Sequence, residues 1–461
     1  MKPTVAVVGG GFKGIVTAKH LADQGANVVL IEQGKKLGGI HFSIPWDGFQ
    51  LDLGCHVFSN ENDMTTNLIF DLLGEKPNGL NPKVKSVFNG IHTEGIECPD
   101  FSHLPSDLHL ECLLDFLNNT AQLDDGVLKP ELKKNLEVYL TARYGAKLSK
   151  LLEQALQKIL RTQAKSISSV AFSAIPARRV NLVEPSVAGL LKQLPNIDEL
   201  LLNPNPDNAT RDAIDSANNY KYRCFYPANG GMGAFAKLAK KHLDDLGVQV
   251  KVETAIQQVV KEEDDSLTLQ LTDSSSLTCS EVFWTSGAHA LAKCMDLDID
   301  LSEDIHNIPM VLFYFDVPET AVGEFTWVQD FDTSHLIYRA SAPSTYGKGK
   351  APKGRAYVLA EVLTDIDADI YQNSEAYTHK IWDELVDLGA VSGVISEHFK
   401  ILKTPVSYKF PKSSFYEKKE VLDNFLNAYG RMHLFDEWIF GKAASVNEIR
   451  AYFEKTNFLN I

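Results

Sequence analysis

The sequence predicts an α/β fold of two interleaved domains, one built on a parallel sheet and one of mixed α+β character carrying a helical insertion. Three observations predict it. Residues 4–39 read as strand, glycine turn, helix, strand and a second glycine turn, in that order. Residues 105–203 shift to a leucine-rich helical pattern that no strand pattern interrupts, and short strand runs resume after about residue 222. At 461 residues the chain is too long for one simple core, which two domains resolve.

The opening stretch justifies itself residue by residue. Thr4–Val8 is a short β-branched run without charge, which suits a strand buried on both faces. Gly9, Gly11 and Gly14 follow in G-x-G-x-x-G spacing. Ile15, Ala18, Leu21 and Ala22 fall at helical intervals, and Gly25 stands where a C-cap belongs. Asn27–Ile31 is a second strand ending at Glu32, 18 residues after Gly14. In this register Gly9 lets the chain turn, Gly11 leaves room for a pyrophosphate, and Gly14 lets the helix pack close to the sheet. The unpaired amides and positive dipole end of that helix then face the phosphates. Glu32 is placed to accept hydrogen bonds from an adenosine ribose, and its charge makes NADP the poorer fit. A glycine turn with no nucleotide is the alternative. It accounts for the glycines but not for strand, helix, strand and terminal acid in register.

From Glu32 to Gly38 and Gly39 the chain resembles the E-x-x-x-x-x-G-G motif of two-domain flavoproteins, in the superfamily of flavin amine oxidases, protoporphyrinogen oxidases and UDP-galactopyranose mutases. That resemblance implies an FAD-binding, Rossmann-like, amine oxidase-like fold, with FAD as cofactor and the paired glycines close to its pyrophosphate and ribityl. It also implies a discontinuous FAD domain (1–80, 222–295 and 405–461) and a substrate domain (84–221 and 300–404) that includes the helical insertion 105–203. A pure NAD dehydrogenase would leave Gly38-Gly39, Tyr226–Gly231 and the C-terminal segment without a use.

The rest of the chain is read in order. His41–Asp52 forms two short strands around the turn Pro45-Trp46-Asp47-Gly48. Gly54-Cys55-His56-Val57-Phe58 resembles the G-x-H-[VI]-F loop of UDP-galactopyranose mutases, which implies close backbone approach to the flavin at Gly54 and a flavin-side role for His56. A plain buried or surface histidine after a strand is the other reading. Asn62–Leu73 is helical, and residues 84–97 form a hairpin around Asn89-Gly90. Helices over Leu108–Thr120, Pro130–Tyr144 and Leu148–Arg161 cover the substrate cavity. In Ile175-Pro176-Ala177-Arg178-Arg179-Val180, Arg178 or Arg179 matches an arginine–proline segment of the mutases and can pair bidentately with a phosphate or carboxylate. For one of the two, a solvated helix end is the alternative.

Tyr226, Pro227, Gly230, Gly231 and Met232 resemble the segment that returns the chain to the FAD domain, and Ala234–Leu246 is then a helix. Val248–Val252 and Ile256–Val260 are strands, and the resemblance puts Ile256 against adenine. Leu267–Leu271 and Leu277–Trp284 complete a meander. Pro309–Asp316 and Ala356–Val362 belong to a second sheet, with Arg339 at the end of the Leu336–Ser341 strand, in the cavity or on the surface. Gly430-Arg431, followed by a helix over Phe435–Ala443, resembles the C-terminal flavin motif.

Composition bounds the partners. Hydrophobic residues make up 44% and charged residues 23%, as in ordinary globular proteins. A net charge of −15 excludes nucleic acid as a general partner and leaves room for an anionic substrate held by local arginines. The N-terminal strand is no signal peptide, and no apolar run approaches the roughly 20 residues of a membrane span, so the expected address is cytoplasmic. The six cysteines are scattered without C-x-x-C, which reads as free thiols and no metal site. A small-molecule substrate is expected, with nucleotide sugars among the candidates, and a homodimer is left open.

The cofactor motifs leave two chemistries open. One is an oxidoreductase that passes a hydride from a small polar or sugar-derived substrate to flavin N5. The other is a redox-neutral sugar-nucleotide mutase. The oxidoreductase is the preferred reading, because no convincing set of tyrosines and arginines for a nucleotide diphosphate stands out. The catalytic candidates are His56, Arg178 and Arg339. A non-catalytic FAD-binding scaffold is the reading from a different class.

Overall fold

The β-branched runs that lack alternation become the five strands of a parallel sheet, in spatial order Gln249–Lys251, Asn27–Ile31, Thr4–Val8, Glu281–Trp284 and Met432–Leu434. The computed structural model describes residues 4–120, 135–175, 178–203, 221–439 and 441–456. Val5 and Val7 face one apolar cluster with Ile15, Leu21 and Phe235, while Ala6 and Val8 face another with Leu269 and Trp284. Burial on both faces is why Val5–Val8 and Val28–Ile31 carry no polar positions. The helix Phe12–Asp23 crosses between the first two strands, and Gly233–Asp245 packs beside it.

A second sheet of seven strands runs in the order Phe399–Pro411, Ile305–Pro318, Arg355–Leu363, Arg339–Ser341, Trp327–Asp330, Val84–Phe88 and Ile91–Glu94. The hairpin around Asn89-Gly90 is therefore its edge, with Val84–Phe88 parallel to Trp327–Asp330. A three-stranded sheet joins Phe58–Ser59, Cys224–Tyr226 and Asn78–Leu80, and so ties the returning chain to the first 80 residues. Helices Ser106–Thr120, Leu136–Tyr144 and Ala146–Leu160 lie over the second sheet, with Leu148, Leu152 and Leu156 in one core with Tyr314 and Tyr357. No helix among the described residues is long and apolar enough to cross a membrane.

Several expected boundaries move, each for a local reason. The Leu277–Trp284 run divides at Ser280, whose amide donates to Thr4 O at 2.8 Å. Ser276–Cys279 then completes an antiparallel three-stranded sheet, and Glu281–Trp284 joins the parallel one. The strand ending at Pro411 carries the second sheet past residue 405, so the last return to the parallel sheet comes later than expected. Arg339 begins its strand rather than ending it. Phe435–Ile439 forms a turn and not a helix, and the last helix begins at Lys442. Pro130, Pro176, Ala177 and Phe440 lie outside the described residues.

A buried polar tie holds the helical layer to the sheet. Lys158, in the Ala146–Leu160 helix, donates to Ile337 O at 2.8 Å and stands 3.4 Å from the carboxylate of Asp330. His335 Nδ1 contacts the same carboxylate at 2.8 Å. Asp330 is wholly buried and Lys158 nearly so. Asp330→Ala is expected to lower the unfolding free energy by roughly 3–5 kcal/mol, because it leaves a buried ammonium without its carboxylate. Replacing both, as Lys158→Met with Asp330→Leu, is expected to recover most of that loss. Urea unfolding followed by tryptophan fluorescence checks this, and equal losses in the single and double variants would contradict it.

Candidate functional site

A cavity of about 600 Å³ opens along the edge where the parallel strands end. Gly9 leaves its strand at φ +104°, and its amide donates to Ile31 O at 2.8 Å. A Cβ on Gly14 would lie 1.7 Å from the Gly9 carbonyl oxygen, so only glycine lets the helix sit this close. At Gly11 a Cβ would meet nothing within 4 Å, because the space there belongs to the cavity. The second glycine turn docks on the first. Gly38 N donates to Gly10 O at 2.7 Å, and a Cβ on Gly39 would stand 3.3 Å from Gly11 Cα.

Glu32 lines this cavity and accepts from the amides of Gly10 and Gly34, each at 2.6 Å. It thus ties the first glycine turn to the start of the loop that leads to the second, and each oxygen keeps a second lone pair. Thr254, Ala255 and Ile256 line the space beyond it. On the opposite side, Thr285 Oγ1 donates to Val8 O at 3.0 Å. Glu437 accepts from Ala288 N at 2.8 Å and pairs with Lys409 at 2.5 Å. An open cradle at Gly11, with the Glu32 carboxylate lining the same cavity, fits a dinucleotide cofactor.

His41 and His56 form the wall toward a second cavity of about 810 Å³, their rings 5.8 Å apart and edge to face. His56 Nε2 contacts Leu53 O at 2.9 Å. A carbonyl only accepts, so Nε2 carries the hydrogen and Nδ1 is the acceptor. Burial, then the charges of Arg339 and Lys442, hold the His56 imidazole down to about 3. Burial also lowers the Lys442 ammonium to about 8, where it donates to Val57 O at 3.0 Å. Arg339 lines the second cavity through a bidentate pair with Glu361, both contacts at 2.7 Å. Gly54, at φ +96°, lets the loop pass over that pair, since a Cβ there would stand 3.1 Å from Glu361 Oε2. Glu97 accepts from Trp327 Nε1 at 3.2 Å. Burial pushes its carboxyl up, against the opposing pull of Arg223 and the Trp327 donor.

Glu97, Arg179 and Arg223 also line an adjoining chamber of about 590 Å³, together with Arg143, Arg178 and Glu199. Arg143 is braced by Tyr139 and Tyr144, its guanidinium 5.9 and 5.6 Å from their ring centres. The arginine ion pairs among the described residues lie at Arg161, Arg339, Arg355, Arg431 and Arg450. The four chamber arginines are thus without carboxylate partners among those residues.

The expected residues divide accordingly. Gly9, Gly11, Glu32, Gly38, Gly39 and Ile256 line the first cavity, and Gly14 seats the helix beneath it. His56 and Arg339 line the second, with Gly54 against the Arg339–Glu361 pair. Arg178 is exposed, donates to Ser173 O at 2.6 Å and lines only the chamber, whereas Arg179 reaches both spaces. Gly430 and Arg431 are a correction. Arg431 pairs with Glu281 at 2.6 Å and Asp265 at 3.1 Å, at the start of the Glu281–Trp284 strand. The cavity lies at that strand's other end, about 10 Å away at strand rise. Met432–Leu434 intervenes as a strand, and Glu437, Ile439 and Ser445 line the cavity instead. His41, Glu97, Arg143 and Arg223 carried no motif, and Lys409 and Lys442, though they lie in C-terminal stretches that resemble flavin motifs, were not singled out as site residues. Only the adjacency of His41 to Gly38-Gly39 offered a signal.

A family model described as flavin containing amine oxidoreductase matches residues 14–321. A solved structure of reduced UDP-galactopyranose mutase superposes with a TM-score of 0.72 at 14% identity, covering 99% of this chain and 94% of that one. A putrescine oxidase bound to putrescine superposes with a TM-score of 0.64 at 13% identity, covering 99% of both chains. The carotenoid 3,4-desaturase of Haloarcula japonica is 48% identical over 50 residues, 11% of this chain. That match spans 10% of the relative's length, and a match to a lysine-specific histone demethylase 1B homolog of Caenorhabditis elegans spans 15%.

Gly11→Ala separates binding from folding. Gly11 has φ −71°, which alanine adopts, and its Cβ would project into open cavity. The variant is expected to unfold at an unchanged temperature while binding the dinucleotide about tenfold more weakly or worse, some 1.4 kcal/mol. Gly14→Ala is expected to lose both. Calorimetric unfolding and equilibrium dialysis check the pair.

Proposed function

This chain belongs to the flavin-containing amine oxidoreductases, whose cofactor is FAD, and from that premise we propose an FAD-dependent oxidoreductase acting on a small polar substrate that carries an anionic group. Gly9, Gly11, Glu32, Gly38, Gly39 and Ile256 would hold the cofactor. When bound, FAD supplies the two-electron redox chemistry, accepting a hydride from a substrate C–H.

The observation that carries the reading is the wall of two imidazoles between the cavities. Oxidising an alcohol or amine by hydride removal releases one net proton, and a redox-neutral isomerisation releases none. A neutral acceptor facing the substrate therefore suits oxidation. His56 is such an acceptor, since burial and two nearby cations keep it uncharged. A proton reaching Nδ1 is held weakly and passes on. The cavity lining is polar, with His56, Asn60, Gln329, Tyr338, Arg339 and Tyr408, which suits hydroxyl or amine recognition.

The chamber supports the anionic part of the substrate. Four arginines against Glu97 and Glu199 leave a local positive excess on a chain of net charge −15. Guanidinium forks match phosphate and carboxylate geometry. The chamber shares Arg179 and Arg223 with the main cavity, so a substrate anchored there would extend toward the space that His56 lines. A redox-neutral mutase is the second reading, favoured by the Gly54–Phe58 loop with its histidine.

Anaerobic spectra of the FAD-loaded protein test the choice. Phosphorylated and carboxylated alcohols and amines, and UDP-sugars, are added in turn. Loss of the oxidised flavin band on adding one of them supports the oxidoreductase, and isomerisation by the reduced protein without bleaching supports the mutase. With a bleaching substrate, Arg143→Gln and Arg223→Gln are each expected to raise KM about tenfold with kcat little changed, since about 1.4 kcal/mol of binding is lost. His56→Phe is expected to lower kcat by roughly 10²-fold or more with FAD binding retained. Unchanged KM in both arginine variants would remove the anionic assignment.

A further inference from the structure

Strand geometry sends two neighbouring side chains into two different spaces. Tyr408 and Lys409 are consecutive in the strand Phe399–Pro411, so they point to opposite faces. Tyr408 lines the substrate cavity, its hydroxyl 3.4 Å from that of Tyr338, and Lys409 lines the FAD cavity. Among the described residues, no other member of the second sheet lines the FAD cavity. This strand end is therefore where the second sheet meets the cofactor site.

The Lys409 ammonium pairs with Glu437 at 2.5 Å and stands 5.2 Å from the centre of the Trp438 ring. Its side chain is still 37% exposed, so it faces open cavity. Glu437 lines the same cavity, is nearly buried, and accepts from Ala288 N at 2.8 Å through its other oxygen. The turn that carries it abuts the glycine cradle on two sides. Lys13, in the first turn of the Phe12–Asp23 helix, donates to Asp436 O. Beyond Gly9, whose Cβ would meet Thr285 and Ser286, a Cβ on Gly287 would stand 3.3 Å from Glu437 Oε2. Lys13 is already paired with Glu448 at 2.6 Å, and Glu32 is held by two backbone amides. Without Lys409, an uncompensated carboxylate would stand beside a cradle that has to accept a diphosphate.

We propose that Lys409 is a positioning residue for the cofactor, a counter-charge brought in by the second sheet that keeps Glu437 from repelling the FAD diphosphate. The inference rests on FAD as cofactor and not on the substrate or on the choice between oxidation and isomerisation. Like charges repel strongly where little water screens them, and a paired carboxylate presents far less field than a bare one. Glutamine at 437 would still accept from Ala288 N, so the charge can be removed while that bond is kept.

FAD affinity of the two single variants is decisive, since charge repulsion gives them opposite signs. Flavin fluorescence during serial dilution of the FAD-loaded protein reads the dissociation constant. Lys409→Gln is expected to bind FAD about tenfold more weakly or worse, and Glu437→Gln at least as tightly as the wild type. The double variant is expected to return to within about threefold of the wild type, and Lys409→Arg, which keeps the charge, to match it. A salt bridge that only holds the fold would make both single variants lose affinity, because each strands one charge. That result overturns the proposal, as does unchanged affinity in Lys409→Gln. Should Lys409→Gln fail to fold, the other variants still decide. Weaker binding in Glu437→Gln, or a tenfold loss in the double variant, overturns the proposal on its own.

Discussion

The arrangement of both cavities depends on one buried carboxylate, Asp52. It accepts from Ser43 Oγ at 2.6 Å, from Met232 N at 3.0 Å and from the Tyr226 hydroxyl. Its backbone carbonyl accepts from Tyr314 OH at 2.7 Å, and its amide meets Tyr357 OH at 3.2 Å. Tyr226 and Met232 belong to the segment returning to the parallel sheet, and Tyr314 and Tyr357 to the second sheet. A fully buried acid therefore pins three segments at one point. Lys350 adds an ammonium 3.4 Å from the centre of the Tyr226 ring, and donates to Pro343 O at 2.8 Å. Burial pushes the two groups toward each other, the Asp52 carboxyl upward and the Lys350 ammonium down to about 7. Such a cluster is stable only when every polar atom is satisfied, so it fixes geometry more than it adds stability.

Fixing Asp52 also fixes the loop that leaves it. Gly54 lies two residues after Asp52, and its positive φ lets Cys55 N reach Glu361 Oε1 at 3.1 Å. His56 is thereby set against His41, and Arg339 is held by Glu361 at the far side. The wall between the cavities is thus a consequence of the inter-domain pin. Both imidazoles donate to backbone carbonyls, from Nδ1 in His41 and Nε2 in His56, and each is left with a bare nitrogen. Lys442 charges the same neighbourhood from the last helix.

Much of the cofactor side was legible in the sequence because its constraints are local. A glycine that must touch a carbonyl, as Gly14 must touch Gly9 O, is written in spacing alone. The same holds for Gly38-Gly39 against Gly10 and Gly11, and for the acid closing the second strand. Arg431 misled for the opposite reason. A G-R dipeptide looks alike at either end of a strand, and only the pairing of Met432–Leu434 with Glu281–Trp284 puts it on the wrong edge. The substrate side was legible only in part. Glu97, Arg143, Arg223 and Trp327 come from four distant segments, and no spacing rule links a hairpin edge to a helix end. Arg143 reads as a solvated helix residue until Tyr139 and Tyr144 are seen to brace it.

This division explains why a shared fold leaves the reaction open. As proposed, the glycine turns and the acid would hold the parts of FAD that take no part in the chemistry, and so would be indifferent to what the flavin does. Reaction type is set instead by charge and proton balance around the flavin ring. Hydride removal leaves a proton to place and a reduced flavin to stabilise. Under the proposed oxidation a neutral His56 would receive that proton, with the Lys442 ammonium in the same neighbourhood. A cationic wall would stabilise the reduced flavin but would offer no base. An apolar wall would do neither. On that reading His56 is the residue whose chemistry would discriminate between the reactions, and it stands at the junction that Asp52 holds in place.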